Sequence, residues 1–529
     1  MMIEAVPPRA ARVDTRRAQF GCALVTCIIV RGINQTLAGV CMRLYEIDDF
    51  GGIDADTDAL LRDCFQDHAS YRDALNHRRY VIVGRKGSGK TAIFTKLQSI
   101  HSSSVFTYGH TFDDYPWSYH DKQAESGVPE EHRYIQSWKY LIWLSLGKIL
   151  LNYDQAVPWD EHSMDAVEKL ESFIVDSYGS RDPDLTQLFT PDKEIKLKGG
   201  FKALFASVDI ERLRVSDLPT HFQEINRQVG SAVIDSLHPG HDYYICFDQL
   251  DLGFSLSNEK FGHRLIGLIL AARQINLAAK RAGKNMSVLV FIRDDIYDLL
   301  HFEDKNKITE NHVSRIEWKP HGDDLTLIDL MEKRFQRALG RESDVSWAEM
   351  FDETQEMPSR QRKYDHICDR TLWRPRDMIK FCNEVLSSYK SSEGRASKFR
   401  NADVISARES YSDYLLRELE DEITKHVPEY REYLEVIKSI GKTQFSPRQF
   451  EEAWCQRPSL KEKPHQEALI DLFEFSVIGY LRPGGGGGGS RYVWRYQDNR
   501  AKFNPEAELL KVHPGFKESL DIAQGKAAE

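Results

Sequence analysis

The stretch Arg79-Tyr80-Val81-Ile82-Val83-Gly84-Arg85-Lys86-Gly87-Ser88-Gly89-Lys90-Thr91 decides how the rest of this chain is read. Its first five residues read as a short buried strand, and Thr91 to Ser99 reads as a helix. Between them, Gly84 to Thr91 fills the phosphate-loop pattern GxxxxGK[ST] at every fixed position. Each residue type has a physical task. Gly84, Gly87 and Gly89, with Arg85, Lys86 and Ser88 between them, let successive backbone N–H groups turn inward around phosphate oxygens. Lys90 is placed to reach the β- and γ-phosphates, and the Thr91 hydroxyl to coordinate magnesium. The helix that starts here directs its positive end at the anion. ATP with Mg2+ is the expected ligand pair.

Two further strand-like runs follow downstream. Tyr243-Tyr244-Ile245-Cys246-Phe247 ends in Asp248-Gln249-Leu250-Asp251, and Ser287-Val288-Leu289-Val290-Phe291-Ile292 ends in Arg293. A helix from about residue 260 to 280 joins them, which predicts a parallel sheet with a right-handed crossover and a ligand beyond the strands' carboxyl ends. Asp248 is the expected second magnesium ligand. Asp209, after Phe205-Ala206-Ser207-Val208, is a competing but less apolar candidate. Gln249 occupies the place where many such ATPases carry a glutamate base, and an amide cannot take a proton. Asp251 is the nearest carboxylate to polarise water. Arg293 is expected either to sense the γ-phosphate or to pair with Asp294 or Asp295.

Before the loop, Asp54 to Leu75 has helical spacing, and Ser104 to Tyr108 reads as a second strand. Glu130 to Asn152 reads as an aromatic-rich helix with Trp138, Tyr140, Trp143 and Leu144 in a core. The net charge of −10, with 29% charged residues, argues against a surface wholly devoted to nucleic acid. Eight cysteines, with no CxxC pair, suit reduced thiols in a cytoplasmic protein. The first 41 residues carry arginines around the apolar run Phe20 to Val30, which is too short to span a bilayer; a disordered or misassigned leader is expected.

Toward the end, residues 429–440, 447–455 and 464–475 read as helices, the second opened by the capping pair Ser446-Pro447. Runs 476–481 and 491–496 flank a glycine tract and read as a hairpin. Three helices and a hairpin predict a winged helix. In its wing, Arg482, Arg491, Arg495, Arg500 and Lys502 face only Asp498, interleaved with Tyr492, Trp494 and Tyr496, so DNA phosphates are a candidate contact.

Together, Phe50-Gly51-Gly52, the phosphate loop, Phe247-Asp248-Gln249-Leu250-Asp251, Phe291-Ile292-Arg293 and Arg374-Pro375-Arg376-Asp377 resemble P-loop ATPases with an additional central strand. These include the STAND regulators, the origin-recognition branch of AAA+ proteins and uncharacterised bacterial relatives. The resemblance implies a helical lid whose arginine, Arg374 or Arg376, closes on the nucleotide; a solvated basic turn is the alternative. It also implies roles in DNA transactions or antiviral defence. The expected organisation is an α/β parallel-sheet P-loop core over 42–320 with a helical insertion at about 115–235, a helical lid over 321–425, and a winged-helix domain over 426–529. The expected function is an ATP-hydrolysing molecular switch, with a nucleotide-dependent homo-oligomer or protein partner and no membrane association. The rival is a DNA-binding or scaffold protein that holds nucleotide structurally; a nucleotide kinase is disfavoured by the long separation of Lys90 from Asp248.

Overall fold

Continuous apolar runs mark strands buried on both faces, the pattern of a parallel sheet sandwiched by helices. The computed structural model describes residues 44–526 except 113–116, 118–119, 122–128, 154–155, 185–193, 196–212, 215–217, 253–258, 323, 359, 393–395, 461–463 and 485–488. Residues 1–41 and the competing Asp209 therefore lie outside the described residues. Val81–Gly84 (β1), Val105–His110 (β2), Asp242–Phe247 (β3), Asn285–Arg293 (β4) and Val313–Arg315 (β5) form one parallel sheet in the order β2-β3-β4-β1-β5. The strand ending in arginine thus lies between the loop strand and the strand before Asp248. Its register sets Gly84 opposite Arg293.

Helices flank this sheet. Ala69–Leu75 (α1) precedes β1, Lys90–Gln98 (α2) follows the loop, and Ile135–Leu151 (α3), Met164–Tyr178 (α4) and Leu218–Ser236 (α5) lie between β2 and β3. Glu259–Arg281 (α6) is the crossover from β3 to β4. Trp138, Tyr140, Trp143 and Leu144 of α3 are buried, and the Trp138 indole donates to the carbonyl of Arg264 on α6. Among the described residues, no helix is long and apolar enough to cross a membrane.

The single helix expected over Asp54 to Leu75 is broken into Leu61–Cys64 and α1. Asp58 is taken out of helical service. Its carboxylate accepts the Gly52 and Leu60 N–H groups and forms a buried pair with Arg334, while His68 caps α1 by accepting from the Ser70 N–H. Gly51 sits at φ +101°, and a Cβ there would lie 2.0 Å from the Arg334 guanidinium, so glycine is required. The short β5 carries no sequence signal of its own and is made by pairing with β1.

After β5 come Leu327–Ala338 (α7), Pro375–Ser391 (α8) and Asn401–Ile423 (α9), with shorter helices between them. Pro375 occupies the first turn of α8, where its missing N–H costs nothing. Tyr430–Ile440 (α10), Pro447–Cys455 (α11) and His465–Glu474 (α12) then pack with Lys442–Phe445 (β6), Ile478–Arg482 (β7), Arg491–Val493 (β8), Leu510–Val512 (β9) and Ala523–Lys526 (β10). The Ser446 hydroxyl caps α11 through the Gln449 N–H. Strands β7 and β8 pair as an antiparallel hairpin, but the unit is more than three helices and a hairpin. It is a five-stranded sheet in the order β8-β7-β9-β6-β10, with β9 seated between β7 and β6.

Candidate functional site

The phosphate loop leaves β1 at Gly84 and enters α2 at Lys90. Gly87 and Gly89 lie at φ +78° and +103°, a backbone region costly to any residue with a Cβ. At Gly87 space is limiting as well, because a Cβ would stand 2.9 Å from the Cβ of Arg376. Lys90 folds back over the loop, its Nζ donating to the carbonyls of Gly84 at 2.8 Å and Arg85 at 3.1 Å. Desolvation pulls its pKa below the usual lysine range, opposed by the negative charges of Asp251 and Asp248.

Asp248 follows β3 and is 2% exposed. Burial raises its pKa to about 6, against hydrogen bonds from the Thr91 side chain and the Gln249 N–H. Its Oδ2 is buried with no hydrogen-bond partner. A desolvated carboxylate oxygen beside a threonine hydroxyl is the hard-oxygen set magnesium prefers. Among the described residues there is no group of three or more His, Cys, Asp or Glu that forms a metal cage, so such an ion would complete its shell from phosphate and water. Thr91 and Asp248 therefore fit magnesium.

Arg293 is 6% exposed and fully engaged by carboxylates. It donates to both Asp295 oxygens, at 3.0 and 2.6 Å, and to Asp251 Oδ2 at 3.3 Å. Burial disfavours its charge, but Asp295, Glu422 and Asp251 outweigh that and hold the guanidinium protonated. Asp295 also meets His426 Nε2 at 3.3 Å, so a chain of polar contacts runs from Asp251 through Arg293 to the segment before α10. Gln249 sits at φ +59°, bonds Asp56 through its amide nitrogen, and leaves its buried Oε1 without a partner.

The two lid arginines diverge. Arg374 is 2% exposed; it holds Asp377 with a two-pronged contact, reaches Glu422 Oε1 at 2.9 Å, and donates to the Lys86 carbonyl at 3.0 Å. Its donors are committed to the protein, which argues against the phosphate-sensing role considered for it. Arg376, half-buried, lays its stem over Gly87, donates to the Ile53 carbonyl and meets Glu418 Oε2 at 3.1 Å. Of the pair, Arg376 is the one that lines the loop's own cavity, about 120 Å³ between Ile53, Lys90, Trp318 and Ile379, to which Arg334 also contributes. Arg85 reaches Ser476 at the end of α12, and Lys86 pairs with Glu418 and Asp421 of α9. On the opposite flank, Arg293, Trp373, His426, Arg495 and Tyr496 border a cavity of about 650 Å³ between the sheet and the C-terminal unit.

The wing cations also separate. Arg495 is held by Glu474 at 2.7 Å and by Asp298 of the core at 3.4 Å. Trp494 is buried against Gly479 and His513, and Tyr496 meets Trp373, so these rings pack within the protein. Arg482, Arg491, Arg500 and Lys502 are exposed. Sequence reasoning missed the carboxylates that hold this site together: Asp58, Glu418 and Glu422. The one local clue is the helical spacing of Glu418, Asp421 and Glu422, which is equally the pattern of a solvated face.

Residues 325–420 match the family described as the FunZ-associated C-terminal helical domain. No curated protein matches the chain. Among solved structures, Cdc6p from Pyrobaculum aerophilum aligns at 11% identity over 85% of this chain and 91% of that one, with a TM-score of 0.27, too low to bear on the argument.

Proposed function

We propose that this protein is an ATP-binding and ATP-hydrolysing P-loop switch of the additional-strand class. The observation that carries the reading is the buried, unpartnered Asp248 Oδ2 beside Thr91, at the start of a helix that follows a complete phosphate loop. Lys90 and the loop N–H groups hold phosphate, and Thr91 with Asp248 holds magnesium. Bound magnesium supplies charge neutralisation at the phosphate oxygens. Asp251, fixed by Arg293, orients the attacking water, and the open amide oxygen of Gln249 is a second acceptor for it. Arg376 closes on the nucleotide from α8, while Arg374 braces the loop by fixing the Lys86 carbonyl. The rival, a structural nucleotide with negligible turnover, draws its support from the amide at Gln249.

The test is ATP affinity and turnover against magnesium concentration. Asp248→Asn is expected to lose the magnesium dependence of binding and to lower turnover by roughly two orders of magnitude, about the worth of a charged metal ligand. Asp251→Asn is expected to keep ATP affinity and lose turnover. Magnesium-independent hydrolysis unaffected by Asp248→Asn would sink the metal assignment, and ATP binding with no turnover under any condition would favour the rival.

We also propose that the C-terminal unit is a winged-helix variant. Its α12 carries Glu467, Asp471 and Glu474 and no lysine or arginine, which is the wrong charge for a helix laid in a DNA groove. Any DNA contact rests instead on Arg482, Arg491, Arg500 and Lys502. Reversing Arg491 and Arg500 to glutamate is expected to weaken duplex binding and lower the salt slope by about 2. An unchanged slope would remove the wing as the contact. A protein partner or a second copy of the chain then remains the reading for the C-terminal unit.

A further inference from the structure

One face of α9 presents Glu418, Asp421 and Glu422, spaced three and four residues apart so that they project together. That face turns toward the phosphate loop, with Asp421 at its exposed edge. Glu418 Oε2 receives Lys86 Nζ at 3.4 Å and Arg376 Nη1 at 3.1 Å, so a single carboxylate oxygen holds two cations from two different segments. The Glu418 side chain is 13% exposed, whereas Asp421, which shares Lys86 at 3.1 Å, is 69% exposed. Lys86 lies within the loop, and the stem of Arg376 covers Gly87 at its tip. Arg376 lines the loop's own cavity, Lys86 belongs to the loop itself, and both are already paired with a carboxylate.

We infer that Glu418 is a built-in competitor for nucleotide phosphate: it neutralises Lys86 and Arg376 until a triphosphate displaces it. The inference rests on the phosphate-loop reading above and adds the regulation of that site. Phosphate and carboxylate cannot both take the full charge of the same two groups. Once phosphate wins, Glu418 is left half-buried beside an anion, and like-charge repulsion weakens the hold of α9 on the loop, which the Arg374–Glu422 pair still anchors. N-terminal to that face on α9, the Ser412 hydroxyl bonds Ser519 and Leu415 packs on Gly515, which couples the helix to the C-terminal unit. That unit meets the core through polar contacts that include Arg85 with Ser476, Arg495 with Asp298, Asn499 with Glu317 and His426 with Asp295, which water can replace. Glu418 therefore sets the threshold at which ATP loosens α9, and with it the C-terminal unit, from the loop.

The experiment compares ATP dissociation constants for the full-length protein, Glu418→Gln, Glu418→Asp and the double variant Lys86→Met with Glu418→Gln. Glu418→Gln keeps the shape and removes the charge. It is expected to tighten ATP binding by on the order of tenfold, the gain from freeing two charge-assisted contacts. Glu418→Asp keeps the charge on a shorter arm, and an affinity between the two is expected even if the glutamine variant folds poorly. In the double variant most of the gain should vanish. Unchanged or weaker ATP binding in Glu418→Gln overturns the inference and makes Glu418 a brace for Arg376. Lys90→Ala distinguishes the two levels of argument: if it binds ATP as the parent does, the phosphate-loop reading itself has failed, whatever Glu418 does.

Discussion

Replacing Lys90 by alanine is expected to remove ATP binding at micromolar protein and to reduce turnover to background. Lys90 is the cation enclosed by the loop, and its Nζ now donates to the Gly84 and Arg85 carbonyls within reach of the negative charges of Asp248 and Asp251. An entering triphosphate would exchange those neutral acceptors for charged ones. Hydrogen bonds to charged groups contribute about 1.5–3 kcal/mol each, so losing two costs about 3–6 kcal/mol, two to four orders of magnitude in Kd. Loop geometry survives the change, because it is set by Gly87, Gly89 and the Trp318 bond to the Ser88 carbonyl. Titration calorimetry with ATP, beside a thermal melt showing a folded variant, is the measurement. Retained affinity would contradict the loop as the nucleotide site.

Arg374→Ala and Arg376→Ala are expected to fail in different ways. The Arg374 side chain is 3% exposed, that of its partner Asp377 0% and that of Glu422 11%, so alanine strands two carboxylates without their cation. Removing one member of a buried ion network typically costs about 3–5 kcal/mol, and a drop of several degrees in melting temperature is expected with or without nucleotide. The lost bond to the Lys86 carbonyl also loosens the loop, so ATP affinity falls as a consequence. Arg376 is 20% exposed at its side chain and its partner Glu418 has a second cation in Lys86. Its loss should cost no more than about 1 kcal/mol of stability while removing a phosphate contact. Equal melting temperatures for the two variants would refute the buried-brace role of Arg374.

The elements that were legible before the fold was known share one property: their signal is local. Val81 to Gly84 is an apolar run whatever surrounds it, Ser446-Pro447 caps a helix by its own side chain, and Gly87 needs its φ because of the turn it makes. Where a local signal was overruled, a distant residue did it. Asp54 to Leu75 has helical spacing, yet Arg334, 276 positions beyond Asp58, draws that carboxylate out of a helix. The wing looked cationic and aromatic, yet Asp298 claims Arg495 from 197 positions away and Trp373 takes Tyr496.

By itself the sequence determined the phosphate loop, the order of the strands that follow it, and the residue types at Lys90, Thr91 and Asp248, since each depends on neighbours within a few positions. Only the tertiary structure decided that β4 lies between β1 and β3, that Arg374 serves the protein while Arg376 lines the loop cavity, and that the acidic face of α9 turns inward onto Lys86. The physical reason is that charge has no sequence range. An arginine pairs with whichever carboxylate the packed chain brings within about 4 Å, and burial then makes that choice count.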